Sequence, residues 1–213
     1  KRKELEYDIV KNNNNQMVRK ISLNSCYGAL GNQYFRYFNR EIAEGITTAG
    51  QLSIKWIEKA VNSYLNKLLE TDTDYVVAID TDSIYVTFED LVDRVNPKNP
   101  VDFLDTIAKE KLEPYMKETY EELASYMNAY QNKMEMGREV IADKGIWTAK
   151  KRYILNVHDS EGVRFKTPKL KMMGIETAKS STPMWCRKKL EDGLKVVMNG
   201  KESDVWDFIT NSR

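Results

Sequence analysis

The stretch YVVAIDTDSIYVTF, residues 75–88, decides how this chain is read. Two runs rich in Val, Ile and Tyr, residues 75–79 and 84–88, have strand composition. The DTDS between them is turn chemistry. The pair therefore reads as a β-hairpin with Asp80 and Asp82 at its tip. Carboxylates within an apolar run are costly to bury without partners. Either the tip is an exposed turn, or something positive completes it. Two carboxylates one residue apart can converge on Mg2+, which takes hard oxygen ligands, few of them from protein. A lone D-x-D is also an ordinary turn, so this motif by itself leaves both readings open.

Long helical patterns flank the hairpin. Residues 41–69 place Ile46, Ala49, Leu52, Ile57, Ala60, Tyr64 and Leu68 at helical spacing. Upstream, the polar NNNNQ tract (12–16) reads as a turn or loop. A helix is expected from Met17 to Leu30, stopped by Gly28 and Gly31. Downstream, Asn99 can cap and Pro100 can open a helix running towards Asn132, with Pro114 expected to kink or divide it. Strands are expected at about 133–141, 147–157 and 163–174. Helices should then open at Thr182–Pro183 and from residue 203. Strands joined by short turns, with long helices between, give an α+β class with an antiparallel sheet.

The bulk composition is globular: 213 residues, 41% hydrophobic and 31% charged. No run of 18 apolar residues is present, so no membrane span is expected. The KRKELEYDIV start has no Met and no signal-peptide core, which suggests a chain cut from something longer. Cys26 and Cys186 have no metal-type spacing and fit a reducing, cytoplasmic setting. The net charge of +1 hides segregation. Residues 70–143 carry 18 acidic and 7 basic side chains, whereas residues 144–189 carry 12 basic and 3 acidic. A basic block of that density suits a polyanion partner, although solvated surface gives the same count.

Three further stretches bear on chemistry. In KISLNSCYG (20–28), Lys20 and Asn24 share one helix face and Tyr27 lies a turn further on. That face could hold a triphosphate, or simply be amphipathic. In KKRY (150–153), strand alternation would put Lys151 and Tyr153 on one face and Lys150 and Arg152 on the other. Such cations could grip phosphates or edge a strand. Glu139, in MGREVIA, has a strand-like setting and could add a third carboxylate near the hairpin, or be exposed and salt-bridged.

Taken together, these motifs resemble family B DNA polymerases. KISLNSCYG is similar to the family's K-x-x-x-N-S-x-Y-G motif, DTDS between strands resembles its palm motif, and KKRY follows in the same order. KLKMMGIETAKSSTP (169–183) resembles the T-even bacteriophage branch. The resemblance spans about Met17 to Pro183. It implies an incomplete polymerase domain with an antiparallel palm sheet and flanking helices. The end of the fingers would occupy 1–31, the palm 32–178 and the start of the thumb 179–213.

By the same resemblance, Asp82 and Asp80 are the catalytic and metal-binding residues, with Asp82 holding both Mg2+ ions and Asp80 beside it. Glu139 matches a nearby acidic metal-site position. Lys20, Asn24 and Tyr27 bind the incoming dNTP, Lys20 with a catalytic role. Lys151 reaches the minor groove of primer-template DNA, flanked by Lys150, Arg152 and Tyr153. The chemistry implied is template-directed nucleotidyl transfer by a two-metal mechanism, in a host cytoplasm if the gene is a phage's.

The chain departs from the family in Ala78–Ile79, where Tyr-Gly is common, and in Gly137, where close relatives often carry Asp. The family's D-x-x-S-L-Y-P motif, which supplies the other metal-binding Asp, is absent. The expectation is therefore an excised fragment or a split subunit, inactive without an N-terminal polymerase half. Exposed apolar faces on such a chain make a homodimer plausible. The alternative is a non-catalytic nucleic-acid-binding subunit derived from a polymerase.

Overall fold

Helix α1 runs unbroken from Arg2 to Leu30. The expected turn at NNNNQ does not form, because the tract holds no Gly or Pro and each Asn costs a helix only about 0.7 kcal/mol relative to Ala. Gly28 lies inside the helix and Gly31 caps it. None of its residues is buried. These coordinates are a computed structural model that describes residues 1–212. Arg213, the last residue of the expected thumb segment, lies outside them.

Helix α2, Arg40–Leu69, fulfils the periodic pattern. Gly45 and Gly50 sit within it facing open space. The chain divides into two compact units within this helix, Lys1–Lys55 and Trp56 onward. In the second unit, Ile57, Val61, Leu65 and Leu69 recur every four residues and are buried, so one stripe of the helix faces the core. They pack with Tyr75, Leu91, Leu112, Met116, Tyr120 and Leu123.

The helix also fixes the approach to the hairpin. Asn62 Oδ1 accepts from the backbone N–H of Tyr75 at 2.9 Å and of Val76 at 3.2 Å. Asn66 Oδ1 accepts from Thr73 N at 2.9 Å. Buried Tyr75 donates its hydroxyl to Asp90, 3.1 Å away. Strands β1 (Val76–Asp80) and β2 (Ser83–Val86) follow as an antiparallel pair, with Asp80 opposite Ser83.

A short helix that the periodic reading passed over, α3 (Glu89–Val95), ends on Asn96 in the left-handed conformation (φ +44°). Helix α4 (Pro100–Ile107) starts as expected, with Asn99 capping and Pro100 in its first turn. The helix is divided next to Pro114, as expected. The backbone widens into a π-helical turn over Ala108–Leu112, where Glu113 N–H reaches back to Ala108, and α5 (Glu113–Tyr126) continues. The wider turn accommodates the proline ring and its missing donor.

The second sheet comprises β3 (Val140–Ala149), β4 (Arg152–Ser160) and β5 (Val163–Met173), antiparallel in that order. The strand expected at 133–141 begins only at Val140. Residues 133–139 are irregular, with Arg138 pinned to Glu113 by its backbone N–H and to Asp105 by its side chain. The architecture is α+β, with small antiparallel sheets and flanking helices. One face of β4 buries Tyr153, Leu155 and Val157. The other buries Ile154, which packs with Ile175 and Met198.

Helix α6 (Met184–Asn199) begins after Pro183. Pro183 itself holds the cap position, so Thr182 stands one residue too far to cap. Helix α7 covers Glu202–Asn211.

A buried ion network ties helix to sheet. Asp159, 2% exposed, ion-pairs with Arg138 and with Arg164 (3.2 Å), and accepts from Gly162 N at 3.0 Å. Arg138 also meets Asp105 at 2.6 Å, and Lys109 meets Asp105 at 2.8 Å. The Lys109 and Arg138 cations hold the Asp105 carboxyl below its ordinary value.

Candidate active site at the hairpin tip

The β1–β2 connection is a tight turn in which Asp82 N–H donates to the Asp80 carbonyl at 2.6 Å. Its central residue, Thr81, has φ +55°, an uncommon conformation for a β-branched side chain. Such strain persists where surroundings over-determine it, and it clusters at functional sites. The turn exposes Asp82 and leaves Asp80 half-buried. Thr81 Oγ1 donates to Asp80 Oδ1 at 3.1 Å, and Ser83 Oγ donates to the Asp80 carbonyl at 3.1 Å.

The positive partner that the opening stretch called for is Lys151. Its Nζ stands 3.5 Å from Asp80 Oδ1. Lys151 is not a strand residue, contrary to the alternation expected for KKRY. Ala149 pairs with Arg152, so Lys150 and Lys151 form the two-residue turn between β3 and β4, and Lys151 adopts φ +61°. The turn lets the lysine project from the end of the sheet instead of lying along its face. Lys150 is exposed. Arg152 is engaged by Glu176, and Lys179 Nζ also meets Glu176, at 3.1 Å. Lys179 and Arg152 together hold the Glu176 carboxyl below its usual range.

Tyr153 is buried. Its ring lies 5.2 Å from Tyr85 and 6.3 Å from Trp147, and Tyr85 lies 5.5 Å from Trp147. Burial, then hydrogen bonding to Tyr85, pushes the Tyr153 phenol far above its ordinary value, with the negative charges of Asp80 and Glu139 adding to the shift. Tyr153 is thus enclosed by aromatic neighbours and only 5% exposed. Tyr85 and Trp147, which motif reading missed, complete this aromatic cluster. Tyr85 was legible as the alternate residue of SIYV after the turn.

A model of the family described as "DNA polymerase family B" matches residues 2–97. The chain is 42% identical over 214 residues to a DNA-directed DNA polymerase of Enterobacteria phage T4, covering 93% of this chain and 24% of that protein. It is 46% identical over 202 residues to a DNA-directed DNA polymerase of Escherichia phage RB69, covering 88% and 22%. A protein named DNA polymerase beta in African swine fever virus is 26% identical over 185 residues, covering 83% and 15%. This is a T-even-like region of family B DNA polymerase. It spans about a quarter of the length of the phage relatives it matches.

Within this polymerase region, Glu139 lies just before β3 and is exposed, and its Oε1 meets Lys171 Nζ at 3.0 Å. Among the described residues no three carboxylate, histidine or cysteine side chains converge to hold a metal, so Glu139 is not gathered with Asp80 and Asp82. The donor set at the tip is a pair of carboxylates, one of them exposed and free of ion pairs among the described residues. Mg2+ shared with substrate phosphates needs no more than one or two protein carboxylates, and the pair fits it.

The first unit carries the other candidate residues. Lys20, Asn24 and Tyr27 lie on α1 at i, i+4 and i+7, all exposed and on one helix face. Cys26 and Cys186 are free thiols. No described helix is long and apolar enough to cross a membrane.

Proposed function

We propose that this polymerase region contributes the palm tip and nucleotide-facing helix of a replicative DNA-directed DNA polymerase. Residues 1–31 would belong to the fingers, 32–178 to the palm and 179–213 to the thumb. The observation that carries the reading is the strained, exposed turn bearing Asp80 and Asp82 with the Lys151 ammonium beside it. Asp82, the freer carboxylate, is the principal metal ligand, and Asp80 stands next to it. Mg2+ held there, two ions in the complete enzyme, would supply charge neutralisation to an in-line displacement.

The chain's own residues bind and orient. Lys20 and Asn24 on the open face of α1 take the phosphates of a dNTP, and Tyr27 offers a flat ring to the base. Lys151 reaches from its turn towards the minor groove at the primer end, with Lys150 as a second cation for DNA. Arg152, held by Glu176, and buried Tyr153 act through the turn they adjoin. The chemistry is attack of a primer 3′-hydroxyl on the α-phosphate with loss of pyrophosphate, and positioning supplies much of the rate.

By itself the chain is inactive in this reading. One carboxylate pair holds two metals poorly, and the relatives are about four times longer. A preceding polymerase segment that contributes a further Asp would complete the site. The apolar side chains that α1 leaves exposed, among them Leu5, Ile9, Val18 and Leu23, are what such a segment or a second copy would cover. The test is primer extension with the chain and a separately expressed N-terminal segment containing D-x-x-S-L-Y-P. Extension that appears only on mixing supports the reading. DNA binding without extension at any ratio would favour a non-catalytic nucleic-acid-binding subunit instead.

A further inference from the structure

The turn that carries Lys151 is fixed from behind by residues the polymerase reading leaves without a role. Strand β5 ends at Met173, which pairs with Tyr153. Gly174 follows with φ +63°, in the left-handed region. A Cβ on Gly174 would stand 2.3 Å from the Lys151 carbonyl oxygen and 3.1 Å from Arg152 Cγ. The nearer contact is with backbone, so no side-chain rotation relieves it. The absence of a side chain is therefore what lets these two segments close on each other. Two residues on, the Glu176 carboxylate ion-pairs with the Arg152 guanidinium and is itself held by Lys179 at 3.1 Å. Backbone contact and side-chain contact thus bear on consecutive residues, Lys151 of the turn and Arg152 at the start of β4.

Lys151 needs such support. At φ +61° it occupies a conformation that a non-glycine residue keeps only where its surroundings over-determine it. From that backbone its ammonium comes within 3.5 Å of Asp80 while the side chain stays 64% exposed. A lysine so exposed would otherwise sample many rotamers, so the direction of the turn decides where the charge spends its time.

We infer that Gly174 and Glu176 are positioning residues for Lys151, holding the Lys150–Lys151 turn and the adjoining Arg152 so that the Lys151 ammonium stands beside Asp80 at the hairpin tip. The inference deepens the polymerase reading, on which it rests for the use made of Lys151. Fixing the cation before DNA arrives lowers the ordering cost of binding.

The test uses NMR of lysine side-chain Cε and Nζ groups in the 213-residue chain, with the Lys151 signal assigned by its loss in Lys151→Arg. Asp80→Asn defines the position of the unpaired signal. Gly174→Ala and Glu176→Gln are each expected to move the Lys151 signal to that position. Adding Asp80→Asn to either should then produce no further shift. Far-UV circular dichroism and tryptophan fluorescence should stay at parent values, and Glu176→Asp should restore most of the parent signal. Should Gly174→Ala fail to fold, Glu176→Gln carries the test, because it alters only a half-exposed side chain. A folded variant whose Lys151 signal keeps the parent position and still responds to Asp80→Asn would overturn the inference. The experiment contains no DNA or nucleotide, so its outcome is separate from any failure to reconstitute primer extension.

Discussion

Helix α1 and the stretch of α2 beyond Lys55 are both long helices, yet they are held by different forces. The α2 stripe Ile57–Val61–Leu65–Leu69 is buried, and its Asn62 and Asn66 anchor the hairpin. Helix α1 buries none of its residues and carries Lys20, Asn24 and Tyr27 on an open face. One is a scaffold that anchors the Asp80–Asp82 hairpin; the other is an open element with only local hydrogen bonds and pairs such as Arg2–Glu6. Isolated helices depend on tertiary contacts for most of their stability, so the two should respond very differently to mutation.

The largest effect belongs to the buried charges of the second unit. Asp159→Ala removes one of the two carboxylates that pair with Arg138, whose Nε already lacks a partner, and should destabilise that unit by about 3–5 kcal/mol in urea unfolding. An effect below 1 kcal/mol would mean the network is wet and weak. Leu65→Ala should cost about 2–5 kcal/mol by opening a cavity beside the α2 stripe. Gly145→Ala puts a Cβ 2.6 Å from the Trp147 ring and 2.9 Å from Leu155. It should cost about 1–3 kcal/mol and shift tryptophan fluorescence as Trp147 leaves Tyr85.

Acid should probe the same network. The folded Asp105 carboxyl titrates below its unfolded value, so the stability it adds is complete above the unfolded value of about 3.9. That contribution is lost as pH falls from there through the folded value. Asp105→Asn should flatten the acid side of the stability profile and leave its slope near neutrality unchanged.

The smallest stability effects belong to α1. Asn13→Ala and Asn14→Ala should raise its helicity by about 0.7 kcal/mol per residue without moving the unfolding midpoint of the second unit. A coincident shift of both would break the contrast between the two regions.

Periodicity made the scaffold legible in the sequence: α2, the hairpin and the Asn99–Pro100 helix start all follow from pattern and capping chemistry. Features decided by one or two residues against their local preference were less legible. NNNNQ stays helical because four modest penalties do not outweigh a 29-residue hydrogen-bonded run. KKRY splits between turn and strand because Lys151 accepts a positive φ that Gly174 makes room for. Glu139 is engaged by Lys171, 32 residues away, which no local pattern shows. The Asp80–Asp82 pair was visible from its turn chemistry, but the cation beside it came from a tertiary contact.

The most direct measurement is primer extension by the reconstituted chain and N-terminal segment with Asp82 intact and with Asp82→Asn. Extension is expected with the parent chain and a loss of at least about a thousand-fold with Asp82→Asn, consistent with removal of a charge-stabilising group, while DNA affinity stays within a few-fold. Extension by Asp82→Asn at the parent rate would contradict the claim that the hairpin tip holds the metals of a polymerase.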